Sequence, residues 1–159
     1  MNRLCCDLPL VGLTLLEEEG GLLQAVRLYG KKPPPAAVTG CTPCPGPLLQ
    51  EAQAQLTAWL TGRLHFFDLP FALSGTPFQC AVWQALLTIP YGQTRSYKYV
   101  AHAVGRPGAS RAVGLANNRN RLPIIIPCHR VIGADGSLVG YAAGLHIKAA
   151  LLQLEQHHH

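Results

Sequence analysis

The sequence predicts an α+β protein of two lobes: a small N-terminal α/β lobe over residues 1–70 and a mainly helical lobe over residues 71–156 carrying a helix-turn-helix. Three observations predict it. Two strand-like runs, Gly12 to Glu17 and Leu22 to Leu28, meet at a Glu/Gly turn, a hairpin signal. Residues 30–47 then carry six prolines and three glycines, the composition of a loop or linker. Beyond residue 76 the apolar residues fall at helical spacing, punctuated by Gly/Pro turns.

The elements follow in order. Leu48 to Leu60 places apolar residues at 49, 52, 56, 59 and 60, one face of a helix that Gly62 can end. The segment from Phe66 to Thr76 is irregular, broken by Pro70 and Gly75. At Thr76-Pro77 a threonine can cap a helix and a proline suits its first turn. Phe78, Val82, Trp83 and Leu86 give that helix its apolar face, and Pro90-Tyr91-Gly92 stops the chain. A helix from Ser96 to Val104, the turn Gly105-Arg106-Pro107-Gly108 and a helix from Ala109 to Asn118 make the helix-turn-helix. Ile124–Ile126 reads as a short buried strand that Pro127 ends, and Asp135-Gly136 as the turn of a hairpin. A last helix runs from Leu145 to Glu155, with Leu145, Lys148, Leu151, Leu152 and Glu155 at helical spacing. His157-His158-His159 reads as a purification-tag remnant and is set aside.

Composition narrows the classes. With 159 residues, 48% of them hydrophobic, the chain can build a real core and is not disordered. No apolar stretch reaches membrane-span length and the N-terminus lacks a signal peptide's pattern. The expected protein is a monomer that contacts no membrane and is cytoplasmic, or nuclear if eukaryotic, with its six cysteines reduced. Charge is uneven. Residues 1–76 hold five basic and six acidic side chains, a net of −1, whereas residues 77–155 hold eight basic and two acidic, a net of +6. Such asymmetry points to a polyanion partner for the second lobe.

The run Ile124-Ile125-Ile126-Pro127-Cys128-His129-Arg130 sets one cysteine where an apolar stretch leaves the core. A thiol attacks as thiolate, and His129 and Arg130 are candidate sources of positive charge to lower its pKa. The helix Ser110-Arg111-Ala112-Val113-Gly114-Leu115-Ala116-Asn117 is built largely of small residues around one long cation. Gly114 costs a helix roughly 1 kcal/mol relative to alanine. A thin helix of this kind can enter a nucleic-acid groove, with Arg111 touching phosphates or filling the gap left by an extruded base.

Pro127-Cys128-His129-Arg130-Val131-Ile132-Gly133, then Gly140-Tyr141-Ala142-Ala143-Gly144-Leu145 and Lys148, resembles the O6-alkylguanine-DNA alkyltransferase (methylated-DNA–protein-cysteine methyltransferase) family. Gly75-Thr76-Pro77-Phe78-Gln79, Val82-Trp83, Ile89-Pro90-Tyr91-Gly92, Ser96-Tyr97 and Arg111-Ala112-Val113-Gly114 extend the likeness, which is continuous from about residue 66 to 155. The resemblance implies a ribonuclease-H-like N-terminal lobe and a winged helix-turn-helix. It also implies stoichiometric repair of double-stranded DNA carrying O6-alkylguanine: Cys128 takes the alkyl group from guanine O6, or thymine O4, once per molecule. His129 would act as general base through a water, with Glu155 orienting it. Asn120 would brace the active-site turn. Tyr97 would bind the flipped guanine and donate a proton to the leaving base. The Cys128 and Val131 backbones would accept from the guanine amino group, the Ala142 amide would donate to O6, and Tyr141 would wall the pocket beside Lys148. Arg111 would be the intercalating finger on a helix whose Ala109, Ser110, Ala112 and Gly114 approach the DNA.

Two departures stand out: Arg121 follows Asn120 where the family usually has proline, and Ala142-Ala143 occupy positions where glycine or serine is common. No cofactor is expected. Cys41-Thr42-Pro43-Cys44 has zinc-ligand spacing and Cys5-Cys6 could add ligands, but one CxxC and an adjacent cysteine pair argue against a metal site. Three rival functions are open. A damage-recognition protein of the same fold would lack the reactive cysteine. A cysteine hydrolase would leave the basic lobe without purpose. A transcription regulator would need base-reading side chains that the helix from Ala109 to Asn118 lacks.

Overall fold

The computed structural model describes residues 1–31, 36 and 40–159. It divides into two compact units, Met1–Leu73 and Ser74–His159.

In the first unit, strands β1 (Asn2–Leu8), β2 (Gly12–Glu19) and β3 (Leu22–Gly30) form an antiparallel sheet in the order β1-β2-β3. The expected hairpin is β2–β3. Its turn is Gly20-Gly21, both at positive φ, the backbone that two-residue hairpin loops require. Strand β1 has no counterpart in the sequence reading; its apolar residues do not alternate cleanly, and only pairing with β2, Cys5 opposite Leu15, reveals it. Helix α1 (Pro47–Leu60) buries Leu49, Ala52, Leu56, Trp59 and Leu60, the face its spacing foretold, and packs on the sheet. Glu17 of β2 is buried and held between Arg3 of β1, 3.2 Å away, and Arg27 of β3, 3.1 Å away.

The cysteines depart from expectation. Cys5 and Cys41 form a disulfide, with Cα atoms 6.0 Å apart, where reduced thiols were expected. The reason is local pairing: Thr42 N donates to Arg3 O at 2.8 Å and Arg3 N donates to Thr42 Oγ1 at 3.1 Å, so the segment carrying Cys41 lies along β1. Among the described residues, no group of three or more His, Cys, Asp or Glu is placed to hold a metal ion, and no helix is long and apolar enough to cross a membrane.

The second unit begins with α2 (Pro77–Leu86). Thr76 Oγ1 accepts from Gln79 N and Gln79 Oε1 accepts from Thr76 N, a reciprocal capping box. Trp83 donates its indole N–H to Ala116 O at 2.9 Å, tying α2 to α4. Helix α3 (Tyr97–Ala103) is capped by Ser96 Oγ, and α4 (Ser110–Asn118) follows the Gly105–Gly108 turn. These two helices are the expected helix-turn-helix. The two-residue strands β4 (Arg95–Ser96) and β5 (Val131–Ile132) pair in parallel, and α5 (Leu145–His158) closes the unit, extending beyond Glu155.

Two expectations fail here for related reasons. Ile124–Ile126 is buried but is not a strand: it is a turn, bridged between Pro123 and Ile126, with Ile124 at φ +75°. Local bonds replace a ladder: Ile126 N donates to Leu122 O at 2.8 Å, and Ile126 O accepts from both Cys128 N and Asn120 Nδ2. The Asp135-Gly136 turn forms, with Gly133 N donating to Ser137 O at 2.9 Å, but no antiparallel strand follows it. Strand β5 has taken β4 as its partner, so the turn leads into irregular chain rather than a hairpin.

Candidate active site

Cys128 begins a single 3₁₀ turn, Cys128–Arg130. That turn settles how adjacent cysteine and histidine coexist, since in an extended segment they would point to opposite faces. Asn120 organises the approach. Its Nδ2 donates to Ile126 O at 2.9 Å and to Cys128 Sγ at 3.2 Å, while its Oδ1 accepts from Leu122 N at 2.9 Å. Arg121 is exposed beside it.

His129 and Glu155 are both buried, and His129 Nε2 lies 2.7 Å from Glu155 Oε1. Arg130 shares that carboxylate: Nε lies 2.9 Å from Oε1 and 3.1 Å from Oε2, and Nη2 lies 2.8 Å from Oε1. Gly92 N donates to Oε2 at 2.9 Å. Burial pushes the Glu155 carboxyl up, but the hydrogen bonds and charges of His129 and Arg130 outweigh it and leave its pKa below the ordinary value. Burial holds the His129 pKa down, and Arg130 and Lys148 push the same way against the opposing pull of Glu155. The histidine is therefore neutral at rest. With the carboxylate accepting at Nε2, Nδ1 is the basic nitrogen.

The thiol overturns one expectation. Burial raises the Cys128 pKa above its ordinary value, against lowering by the Asn120 hydrogen bond, Lys148 and the local backbone. His129 does not supply the anticipated positive charge because it is neutral, and the charge of Arg130 is committed to Glu155. At rest the site holds a protonated thiol beside a neutral imidazole.

Lys148, fully buried on α5, donates to Val131 O at 2.6 Å and Val139 O at 2.9 Å, and sits 3.4 Å from Tyr97 Oη. Tyr97 Oη donates to Val139 O at 2.8 Å. Burial raises the Tyr97 pKa and that of Tyr141 much further, and the charge of a Cys128 thiolate adds to both. Tyr141 Oη is buried without a hydrogen-bond partner. Its carbonyl accepts from Gly144 N across the turn that carries the exposed Ala142.

A cavity of about 510 Å³ opens beside this centre, lined by Tyr97, Ser110, Arg111, Gly114, Val139 and Gly140 together with Leu115 and Asn118. Arg111 is exposed at its edge. Gly114 has Tyr97 as its nearest neighbour, 3.8 Å from where a Cβ would stand, so the glycine keeps α4 thin where it borders the cavity. Ala109 precedes α4 as its N-cap and Ala112 lies half-buried on it; neither lines the cavity. The structure thus gathers Cys128, His129, Glu155, Asn120, Tyr97, Val131, Tyr141 and Lys148 around one turn. The sequence reading missed the grip of Arg130 and Gly92 on Glu155, the Ile89 carbonyl that accepts from Arg130, and the part of the Val139 carbonyl. The first had a signal in the Cys-His-Arg run; a backbone carbonyl has none.

The likeness to known proteins follows this geometry. The family model for the 6-O-methylguanine DNA methyltransferase DNA-binding domain matches residues 77–157. The methylated-DNA–protein-cysteine methyltransferase of Mycobacterium leprae is 50% identical over 147 residues, covering 92% of this chain and 88% of that protein. That of Methanosarcina barkeri is 61% identical over 107 residues, covering 67% of this chain and 68% of its own. The crystal structure of Mycobacterium tuberculosis OGT in complex with DNA superposes with a TM-score of 0.88 at 46% identity, over 99% of this chain and 94% of that one. On a site built around one cysteine and a likeness that spans nearly its whole length, the chain belongs to the methylated-DNA–protein-cysteine methyltransferase family.

Proposed function

We propose that this DNA-repair methyltransferase accepts the alkyl group on Cys128, taking it from guanine O6 in double-stranded DNA, and from thymine O4, once per molecule. The observation that carries the reading is the Asn120–Cys128 contact beside the His129–Glu155 pair at 2.7 Å. The base, once extruded from the duplex, occupies the cavity between Tyr97 and α4. Extrusion costs a few kcal/mol, less for a weakened pair, which favours damaged guanine.

His129 takes the Cys128 proton at Nδ1, directly or through a water, and Glu155 stabilises the imidazolium that forms. Sγ then attacks the alkyl carbon in line. The S–C bond forms as the C–O bond breaks, and its electron pair passes to the guanine ring. Tyr97 protonates the leaving base and recovers its proton from solvent or from His129. The products are an S-alkylcysteine and unmodified guanine. Lys148 fixes the Val131 and Val139 carbonyls and the Tyr97 hydroxyl, the Val131 and Cys128 carbonyls and the Ala142 amide read the base, and Tyr141 walls the pocket. Arg111 fills the gap left in the duplex, and Ala109, Ser110, Ala112 and Gly114 allow α4 to approach the groove.

The test is the intact mass after incubation with an oligonucleotide bearing O6-methylguanine. One methyl increment that is absent in Cys128→Ser is the expected result. Binding of the lesion without any adduct would instead indicate a recognition protein.

A further inference from the structure

Arg130 is the side chain of the active-site turn for which the mechanism above has no use, yet it is one of the most engaged groups in the protein. It is 7% exposed. Its Nε and Nη2 grip Glu155, and its Nη1 donates to Ile89 O at 2.7 Å. Its guanidinium also lies over the Tyr91 ring, 5.6 Å from the centroid. Gly92 N completes the hold on the second carboxylate oxygen, and Gln156 Nε2 donates back to Gly92 O at 3.0 Å. Glu155 is thus fixed to two other segments, the turn bearing Cys128 and the Ile89–Gly92 stretch after α2.

A carboxylate held only by a histidine could rotate about its own side chain. One gripped on both oxygens by a planar fork cannot. There is a charge consequence too. The Arg130–Glu155 pair is neutral overall, so His129 faces a carboxylate whose charge is already largely balanced. The other groups around this pair are Tyr91 from the segment after α2, Lys148 from α5 and Cys128 itself. Of these only Lys148 can carry a positive charge, and its ammonium is held by the Val131 and Val139 carbonyls.

We propose that Arg130 is a positioning residue for alkyl transfer: by anchoring Glu155 to the Ile89 carbonyl it fixes the orientation of His129, and by balancing the carboxylate it keeps the imidazole neutral until a substrate is bound. The inference rests on the reading of Cys128 as acceptor and His129 as its base. The resting thiol and imidazole are then a neutral pair, and the proton crosses only when the alkyl group is in place to receive the sulfur. Lysine could keep the charge but not the fork, so the two parts of the role separate by substitution.

The experiment compares the parent with Arg130→Gln and Arg130→Lys in single-turnover methyl transfer from duplex DNA, across pH and DNA concentration. Folding is monitored by circular dichroism and thermal midpoint. R130Q should lose about tenfold or more of the saturated rate, the scale of a lost charge-assisted contact, with the half-saturating DNA concentration unchanged within about twofold. Its acid limb should move to higher pH by about half a unit or more, because removing a fixed positive charge makes the imidazolium easier to form. R130K should keep the parent's acid limb and recover only part of the rate. A folded R130Q with the parent's rate and pH profile overturns the proposal, as does a loss confined to DNA affinity. If R130Q does not fold, R130K decides: a saturated rate equal to the parent's overturns the anchoring role. The His129 titration, followed by NMR in DNA-free protein, reads the charge effect independently. A parent that forms no adduct on Cys128 defeats the acceptor reading, while the NMR titration still judges Arg130.

Discussion

At the scale of single residues, the reactive centre is made by side chains that each settle a backbone problem as well as a chemical one. Asn120 closes the turn before the cysteine with three hydrogen bonds, one of them to the sulfur. Lys148 satisfies two carbonyls near the thiol from a fully buried position, so its charge is not free for solvent. Arg111 is different: it is exposed at the edge of the cavity and makes no contact that the chemistry needs. Arg111→Ala should therefore slow repair of O6-methylguanine in duplex DNA by about tenfold or more while leaving reaction with free O6-benzylguanine nearly unchanged, because only the duplex demands that a flipped base be replaced. Rates on the two substrates, measured side by side, check this, and equal losses would contradict the finger role.

At the scale of elements, what could be read in the sequence was what local physics decides. The cap at Thr76, the spacing of α1 and the break between α3 and α4 all depend on neighbours within a few residues, and all form where expected. Elements whose partners are distant were harder to see. Strand β1 shows itself only against β2. The isoleucine run has strand composition but bends, its end held by Leu122 O, Cys128 N and Asn120 Nδ2 rather than by a neighbouring strand. The Asp135-Gly136 turn lacks a hairpin because β5 pairs with β4, about 35 residues earlier in the chain. The same distinction applies to the site. Cys128, His129 and Asn120 are close in sequence and readable as a motif, whereas the Glu155 contacts to Gly92 and Arg130 depend on how α5 docks. The capping box offers a direct test at this scale. Thr76→Ala removes the acceptor for Gln79 N and should lower stability by about 1 kcal/mol, seen as a shift in the urea midpoint with an unchanged slope. Transfer activity below the midpoint should be unaffected.

At the scale of the whole molecule, the titrating groups of the reactive unit act together on stability. The His129 pKa is held below its ordinary value of 6.5 and that of Glu155 below 4.5. For both, the unfolded chain binds protons that the folded chain refuses, so stability rises with pH through each window. Stability should therefore fall as pH drops below about 6.5, and fall again below about 4.5 as Glu155 begins to protonate in the unfolded chain. Denaturant midpoints from pH 8 to pH 4 measure it, and Glu155→Gln should flatten the lower part of the curve. The buried, protonated thiol has a further consequence. A catalyst that turns over can survive an occasional side reaction, but a protein that works once is lost to any electrophile or oxidant that reaches its sulfur first. Peroxides and alkylating metabolites attack thiolates in the open. Cys128 offers them neither the anion nor much surface, being 5% exposed, whereas Cys44 is exposed. Slowness toward everything except a base delivered into the cavity is what lets a single-use molecule wait, intact, for rare damage.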